Sequence, residues 1–211
     1  MRRLITWCIG AAMVIIPTTG VFAEQAGELV FADDPFAVFV LRNREQLPFE
    51  PGGPVYSADA IVTEASSAEV DLFSVGATLN VAPNTHMRVA SIAGRASRAS
   101  ADNGRSSMEL VSGKLRAIID NDSRDPFNVA SRIGVAGVRG TDFVIEIEGD
   151  SVRLAVRTGE VEYTHRFTEA RAVLRAGEGI DVDDLFAEHI EVGTWSQERL
   201  DDFFESVGGY E

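Results

Sequence analysis

Apolar and polar residues alternate most strictly from Asp142 to Thr164. Phe143, Ile145 and Ile147 fall on one face of an extended chain, and Asp142, Glu146 and Glu148 on the other. That is the signature of a half-buried strand. Gly149-Asp150 reads as a two-residue hairpin turn. Val152, Leu154 and Val156 then alternate with Arg153, Ala155 and Arg157. With the turn at 149–150, Glu148 faces Ser151, Ile147 faces Val152, Ile145 faces Leu154 and Phe143 faces Val156. On the wet face Glu146 meets Arg153 and Asp142 meets Arg157. Each opposite-charge pair favours this register by roughly 0.2–1 kcal/mol, and a one-residue slip would lose the charge matching. Thr158-Gly159 reads as a second turn, which sets Arg157 against Glu160 and makes 142–164 a three-stranded meander. Ahead of it, three glycines within seven residues (Gly134, Gly137 and Gly140) predict a tight loop over Ile133–Thr141.

The rest of the pattern is also β. Phe36–Leu41 is a short apolar run expected as a buried strand. Val55–Thr63, Val70–Phe73, Ala77–Val81 and Met87–Ala90 read as further strands. Alternating strands flank Ser112-Gly113 between Met108 and Ile119, and Ala172–Asp183 closes the β region. Residues 94–107 and 120–126 are polar loops. A loose echo recurs as Leu110–Leu115, Ala155–Val161 and Val173–Glu178: an apolar pair, a polar step, a glycine and a charge. Its spacing is irregular, so no regular repeat is required. After Asp183 the period changes. Trp195, Leu200, Phe203, Phe204 and Val207 fall on one helical face, Ser196 is placed to cap it, and Gly208-Gly209 stops it. One short helix is expected at about 196–206, with Trp195 and Phe203 covering the sheet or meeting a partner.

The N-terminus has another purpose. Met1-Arg2-Arg3 precedes an apolar segment, Leu4–Ile16, which is short for a membrane span. Val21-Phe22-Ala23 fits a cleavage site, so residues 1–23 are expected as a signal peptide cut after Ala23. The organisation is then a polar leader at 24–35, a β domain at 36–183 and a C-terminal extension at 184–211. Cys8 lies in the signal segment, so the mature chain would lack a thiol nucleophile or a disulfide. No later apolar run nears 18 residues, and no membrane span is expected in the mature chain.

Charge narrows the partners. The 211 residues carry a net charge of −14, with a single lysine, Lys114, among 19 basic residues. Such a chain repels nucleic acid and anionic lipid. His86, His165 and His189 lack metal-ligand spacing. Gly137-Val138-Arg139-Gly140-Thr141 lacks the lysine of a phosphate loop and does not open a helix. Asp120, Asn121, Asp122 and Asp125 supply calcium-type oxygens without the glycine and distant glutamate of an EF-hand. A solvated acidic loop describes them better, and the same holds for Asp181, Asp183, Asp184 and Glu188. Arg139, set between glycines, reads first as an internal bridge to Asp142 or a loop carbonyl, and second as a grip on a partner carboxylate. No catalytic, cofactor or metal site is predicted.

Phe127-Asn128-Val129, then Val135-Ala136-Gly137-Val138-Arg139-Gly140-Thr141-Asp142-Phe143, then Thr158-Gly159-Glu160-Val161 and Ala176-Gly177-Glu178 together resemble the FecR domain. Gly53–Tyr56, Ile61–Thr63 and Leu79–Thr85 look like its early strands, so the resemblance spans roughly 36–183. It implies an all-β, solenoid-like antiparallel domain with one short C-terminal helix. In the family's namesakes this domain lies in the periplasm and relays a signal from an outer-membrane receptor, through a transmembrane helix, to a segment that controls a sigma factor. A signal peptide in place of that segment argues against carrying the sigma-regulator role over. The expectation is a non-enzymatic periplasmic or secreted module that senses, binds or scaffolds, with an envelope protein or polymer as partner. Gly137, Arg139, Gly140, Thr141, Asp142, Trp195 and Phe203 would form its structural or partner-binding residues. The alternative is a carbohydrate- or surface-binding adhesin-like domain, calcium-assisted, for which an exposed aromatic strip (Tyr56, Tyr163, Phe73) would speak.

Overall fold

A computed structural model describes residues 25–73, 75–91, 106–120 and 127–208. The signal segment, its cleavage site, most of the two polar loops and the calcium-type residues 121–125 lie outside them. The elements are β1 (Gln25–Ala32), β2 (Val38–Arg42), β3 (Glu45–Pro48), β4 (Pro54–Tyr56), β5 (Ala60–Thr63), β6 (Ala68–Leu72), β7 (Ala77–Val81), β8 (His86–Ser91), β9 (Ser106–Ile119), β10 (Phe127–Ala130), β11 (Gly134–Glu148), β12 (Ser151–His165), β13 (Arg171–Arg175), β14 (Glu178–Val182), β15 (Gly193–Thr194) and α1 (Gln197–Glu205). The fold is all-β with one short helix, as expected.

All 15 strands among the described residues join one open sheet. Three long strands, β9, β11 and β12, serve both halves of it. The first half of β9 pairs with β8 and, in parallel, with β10; its second half pairs with β7 and β11. β11 pairs first with β10 and the end of β12, then with β9 and the start of β12. β12 holds β14 along its first half and β13 along its second. The inward residues of both halves, among them Leu79, Leu115, Ile145 and Leu154 from one and Met87, Phe127, Val161 and Leu174 from the other, form a single buried cluster. Strands that run through both halves of one core must change direction midway. They do so at Gly113, Gly140 and Gly159, whose φ values are +93°, +59° and +85°. Side-chain-bearing residues rarely adopt this conformation.

These hinges correct three expectations. Ile133–Thr141 is not a tight loop, because β11 runs unbroken from Gly134, with its register shifting between Arg139 and Phe143. Thr158-Gly159 is not a hairpin turn. β12 continues through it, Glu160 lies opposite Arg139, and the meander is replaced by one long two-stranded ribbon. A Cβ on Gly159 would approach the Gly140 carbonyl oxygen to 2.4 Å, so the two strands are in contact where both bend. β9 is likewise one strand through Ser112-Gly113, and a Cβ there would lie 2.4 Å from Thr85 Oγ1. The echo seen in the sequence is therefore conformational. Its three glycines, Gly113, Gly159 and Gly177, all have φ between +85° and +93°; the first two bend strands and the third turns β13 into β14.

Two N-terminal expectations also change. The stretch read as a polar leader, 24–35, contains β1, which pairs with β4 and β6 and buries Ala26, Leu29 and Ala32. Its three small or apolar residues at inward positions suffice because neighbouring strands supply the bulk. The run from Phe36 begins with a 3-10 turn at Pro35–Ala37, capped by Asp34, so the strand starts at Val38 and Phe36 stands in solvent, 97% exposed.

Candidate functional site

The Gly149-Asp150 turn sets the site's register. Glu146 stands opposite Arg153 and Ile145 opposite Leu154, as the alternation predicted. Neighbouring strands extend this pair into a charge ladder. Lys114 of β9 lies beside Glu146 on the far side, and Asp181 of β14 lies beside Arg153. The row runs Lys114 Nζ–Glu146 Oε1 at 3.1 Å, Arg153 Nη1–Glu146 Oε2 at 2.8 Å, Arg153 Nε–Asp181 Oδ1 at 3.0 Å and Arg199 Nη2–Asp181 Oδ2 at 2.6 Å. The signs alternate across four strands and onto α1.

The next row in is small and apolar: Val144, Ala155 and Gly179 lie side by side. α1 covers it. Trp195, Leu200, Phe203, Phe204 and Val207 bury themselves against Val144, Ala155 and Ala82 as a second hydrophobic cluster on the outer face. Gly179 is what admits the indole, since a Cβ there would come within 2.4 Å of Trp195 Cε2. Ser196 Oγ caps the helix by accepting from the Arg199 backbone N–H at 3.2 Å. Cations stack on the rings: Arg199 on Trp195 at 3.5 Å, Arg157 on Phe204 at 4.1 Å and Lys114 on Phe203 at 4.7 Å. Lys114 Nζ also donates to Ser206 Oγ at 2.7 Å, and Arg157 lies 3.4 Å from Asp201. A nine-residue helix is marginal alone; here aromatic burial and ion pairs hold it. Open grooves of about 510 and 540 Å³ flank it, one by Arg153, Trp195 and Arg199, the other by Asn84, Gly113 and Lys114.

The predicted residues divide between two places. Trp195 and Phe203 belong to this face, edge to face at 5.4 Å. Asp142 borders it but does not meet Arg157, because the register shift at the hinge sets Asp142 opposite Thr158. Its carboxylate instead accepts from Arg116 Nε and Nη2, both at 2.9 Å. Arg139 does not bridge to Asp142; it is exposed on β11, across from Glu160. Gly137 lies in the ladder between Asn128 and Glu162, and Thr141 is buried with its methyl against the Gly159 bend. Lys114, Arg116, Asp181 and Arg199 were missed. Lys114 carried a signal as the lone lysine, and Asp181 alternates with Ile180 and Val182.

The histidines and aromatics fall elsewhere. His165 is buried, its Nδ1 3.0 Å from Thr168 Oγ1. Of the proposed aromatic strip, Tyr163 is buried, Tyr56 lies under the Arg42 guanidinium at 4.5 Å, and Phe73 is exposed. Among the described residues no group of three His, Asp or Glu side chains is arranged to hold a metal ion. No described helix is long and apolar enough to cross a membrane.

These features define an all-β framework domain, bent at glycines, with a C-terminal helix docked on its outer face. Residues 59–162 match the family model described as FecR protein, which gives this part of the chain a FecR domain. That match starts at Asp59, after β4, and ends within β12, so it is narrower than the 36–183 expected and excludes β13–β15 and α1. No curated protein matches the chain. Two crystal structures of a proposed anti-sigma factor from Parabacteroides distasonis, at 2.50 and 1.65 Å resolution, share the fold with a TM-score of 0.53 each, at 20% and 19% identity. They cover 68% of this chain, which spans 62% and 63% of theirs.

Proposed function

We propose that the protein is a non-enzymatic sensing or scaffold module of the cell envelope, exported by its N-terminal signal segment to the periplasm or beyond, and acting by binding another protein. The observation that carries this reading is the FecR domain itself, at 59–162. The ladder geometry agrees with it. Lys114, Glu146, Arg153, Asp181 and Arg199 are spent on one another and on α1, an arrangement suited to holding a surface in shape. The likeness to a proposed anti-sigma factor supports a regulatory role of this kind.

The test has two parts. Cells producing the full chain are fractionated, and the N-terminus of the envelope form is sequenced; Glu24 is expected first. Photo-crosslinkers placed across the surface are then used in intact cells. A defined envelope protein captured from a contiguous set of positions supports the reading. A cytoplasmic, uncleaved chain, or crosslinks to no protein, overturns it.

A further inference from the structure

We infer that the open edge of β13, with the adjacent Phe167–Phe186 pair, is a strand-addition site for an extended segment of a partner protein in which acidic residues flank an apolar centre. The inference rests on the protein-binding reading above and names the surface and the chemistry it would select.

β13 pairs with β12 and with no other described strand. The direction of its backbone groups follows from the ladder. The His165 N–H donates to the Ala170 carbonyl across the β12–β13 connection. Hydrogen-bonded and open pairs alternate in an antiparallel ribbon. Tyr163–Ala172 and Val161–Leu174 are therefore the bonded pairs, and Arg171, Val173 and Arg175 direct their N–H and C=O groups away from β12. The Arg175 N–H confirms this parity, since it donates to Glu178 Oε2 at 2.7 Å rather than to β12. The Val173 N–H and C=O and those of Arg171 remain on the open edge. Such a row is a template for one more strand.

The side chains specify which strand. Ala172 and Leu174 face the core, so an added strand would extend the core with apolar residues at its inward positions. Arg171, Val173 and Arg175 face out, with Val173 42% exposed. Two phenylalanines, Phe167 at 54% and Phe186 at 70% exposure, stand with rings 6.3 Å apart, Phe167 in the turn leading into β13. They form an apolar landing beside the edge. A second copy of β13 is a poor occupant, because antiparallel pairing about Val173 would set Arg171 against Arg175 at both ends. β12 already shows the complementary choice on the filled side, where Glu160 lies 3.4 Å from Arg175 and Glu162 lies 3.7 Å from Arg171.

The probe is a fluorescein-labelled peptide with the core Glu-Val-Ile-Val-Glu, compared with its Lys-Val-Ile-Val-Lys counterpart, against the full mature chain by anisotropy. The acidic peptide should bind at least about tenfold more tightly, the sum of two cross-strand charge pairs turned from attraction to repulsion. Val173→Pro should abolish binding and leave the fold intact, since proline is tolerated where the N–H points off a sheet edge. Arg171→Glu with Arg175→Glu should reverse the peptide preference, a readout that does not depend on the proline variant folding. Equal binding of both peptides, or unchanged binding by Val173→Pro, overturns the inference. So does a dimer that Val173→Pro dissociates, which would place a second copy on the edge. In cells, an envelope partner captured equally by wild type and Val173→Pro removes this edge and leaves the binding-module reading standing. Capture of no protein counts against that reading, while the peptide titration still decides the edge.

Discussion

Glu146 accepts a hydrogen bond from Arg153 at 2.8 Å and also lies 3.1 Å from Lys114. One carboxylate thus joins three neighbouring strands. Glu146→Gln leaves two cations facing each other across a neutral residue. It should cost about 1 kcal/mol, more than an isolated surface pair, because the carboxylate is half-buried and shared. Urea denaturation of the single variants and of Glu146→Gln with Arg153→Met would measure the coupling. A coupling energy that does not shrink as salt rises would contradict the ion-pair account.

Gly179 and Trp195 should behave as one unit. Gly179→Ala puts a methyl group 2.4 Å from the indole, so it should lift α1 off the sheet while leaving the main core folded. Hydrogen exchange would show residues 197–205 losing protection and β11–β12 keeping it. In a Trp195→Ala background the same change should cost far less, because the obstruction is gone. Additive effects would show that the indole does not seat on Gly179.

The glycines at positive φ should rank by what surrounds them. Gly149→Ala meets only open space and should cost about 1 kcal/mol, the price of the left-handed conformation. Gly159→Ala adds a collision with the Gly140 carbonyl and Thr141, and should cost at least about 3 kcal/mol or prevent folding. Thermal melts of the two variants would decide; equal shifts would mean β12 relaxes freely at its bend.

Tyr163 should govern stability at alkaline pH. Burial pushes its phenol above the ordinary value, and its hydroxyl is buried with no hydrogen-bond partner among the described residues. The folded protein therefore keeps this proton where the unfolded chain releases it. The sign follows: Tyr163 leaves stability flat below pH about 10 and lowers it above, by up to about 1.4 kcal/mol per pH unit. Tyr163→Phe should flatten that limb and raise stability at neutral pH by about 1 kcal/mol, as an unsatisfied hydroxyl is removed. Chemical denaturation at pH 7 and pH 11 would test both.

The β11–β12 hairpin and the docked helix show how local rules and tertiary contacts divide the outcome. Alternation from Phe143 to Val156 and a two-residue turn at 149–150 were sufficient for the Glu146–Arg153 register, because a short turn leaves only one pairing that buries every apolar side chain. The amphipathic face at 195–207 and the Ser196 cap were legible for the same reason, since both are set by residues within a turn or two. Thr158-Gly159 misled because a glycine at positive φ serves a hairpin turn and a strand bend equally well. Only Gly140 and Thr141, packed against it from β11, select the bend.

The amino-acid sequence alone determined the β class, the hairpin register, the helix and its cap, because each depends on neighbours in the chain. The tertiary structure decided which strands span both halves of the sheet, that Asp142 goes to Arg116 rather than Arg157, that Asp181 and Lys114 complete the ladder, and that Phe36, Phe167 and Phe186 are left in water. Those outcomes turn on segments brought together from far along the chain, and periodicity carries no record of which distant strand fills a given edge.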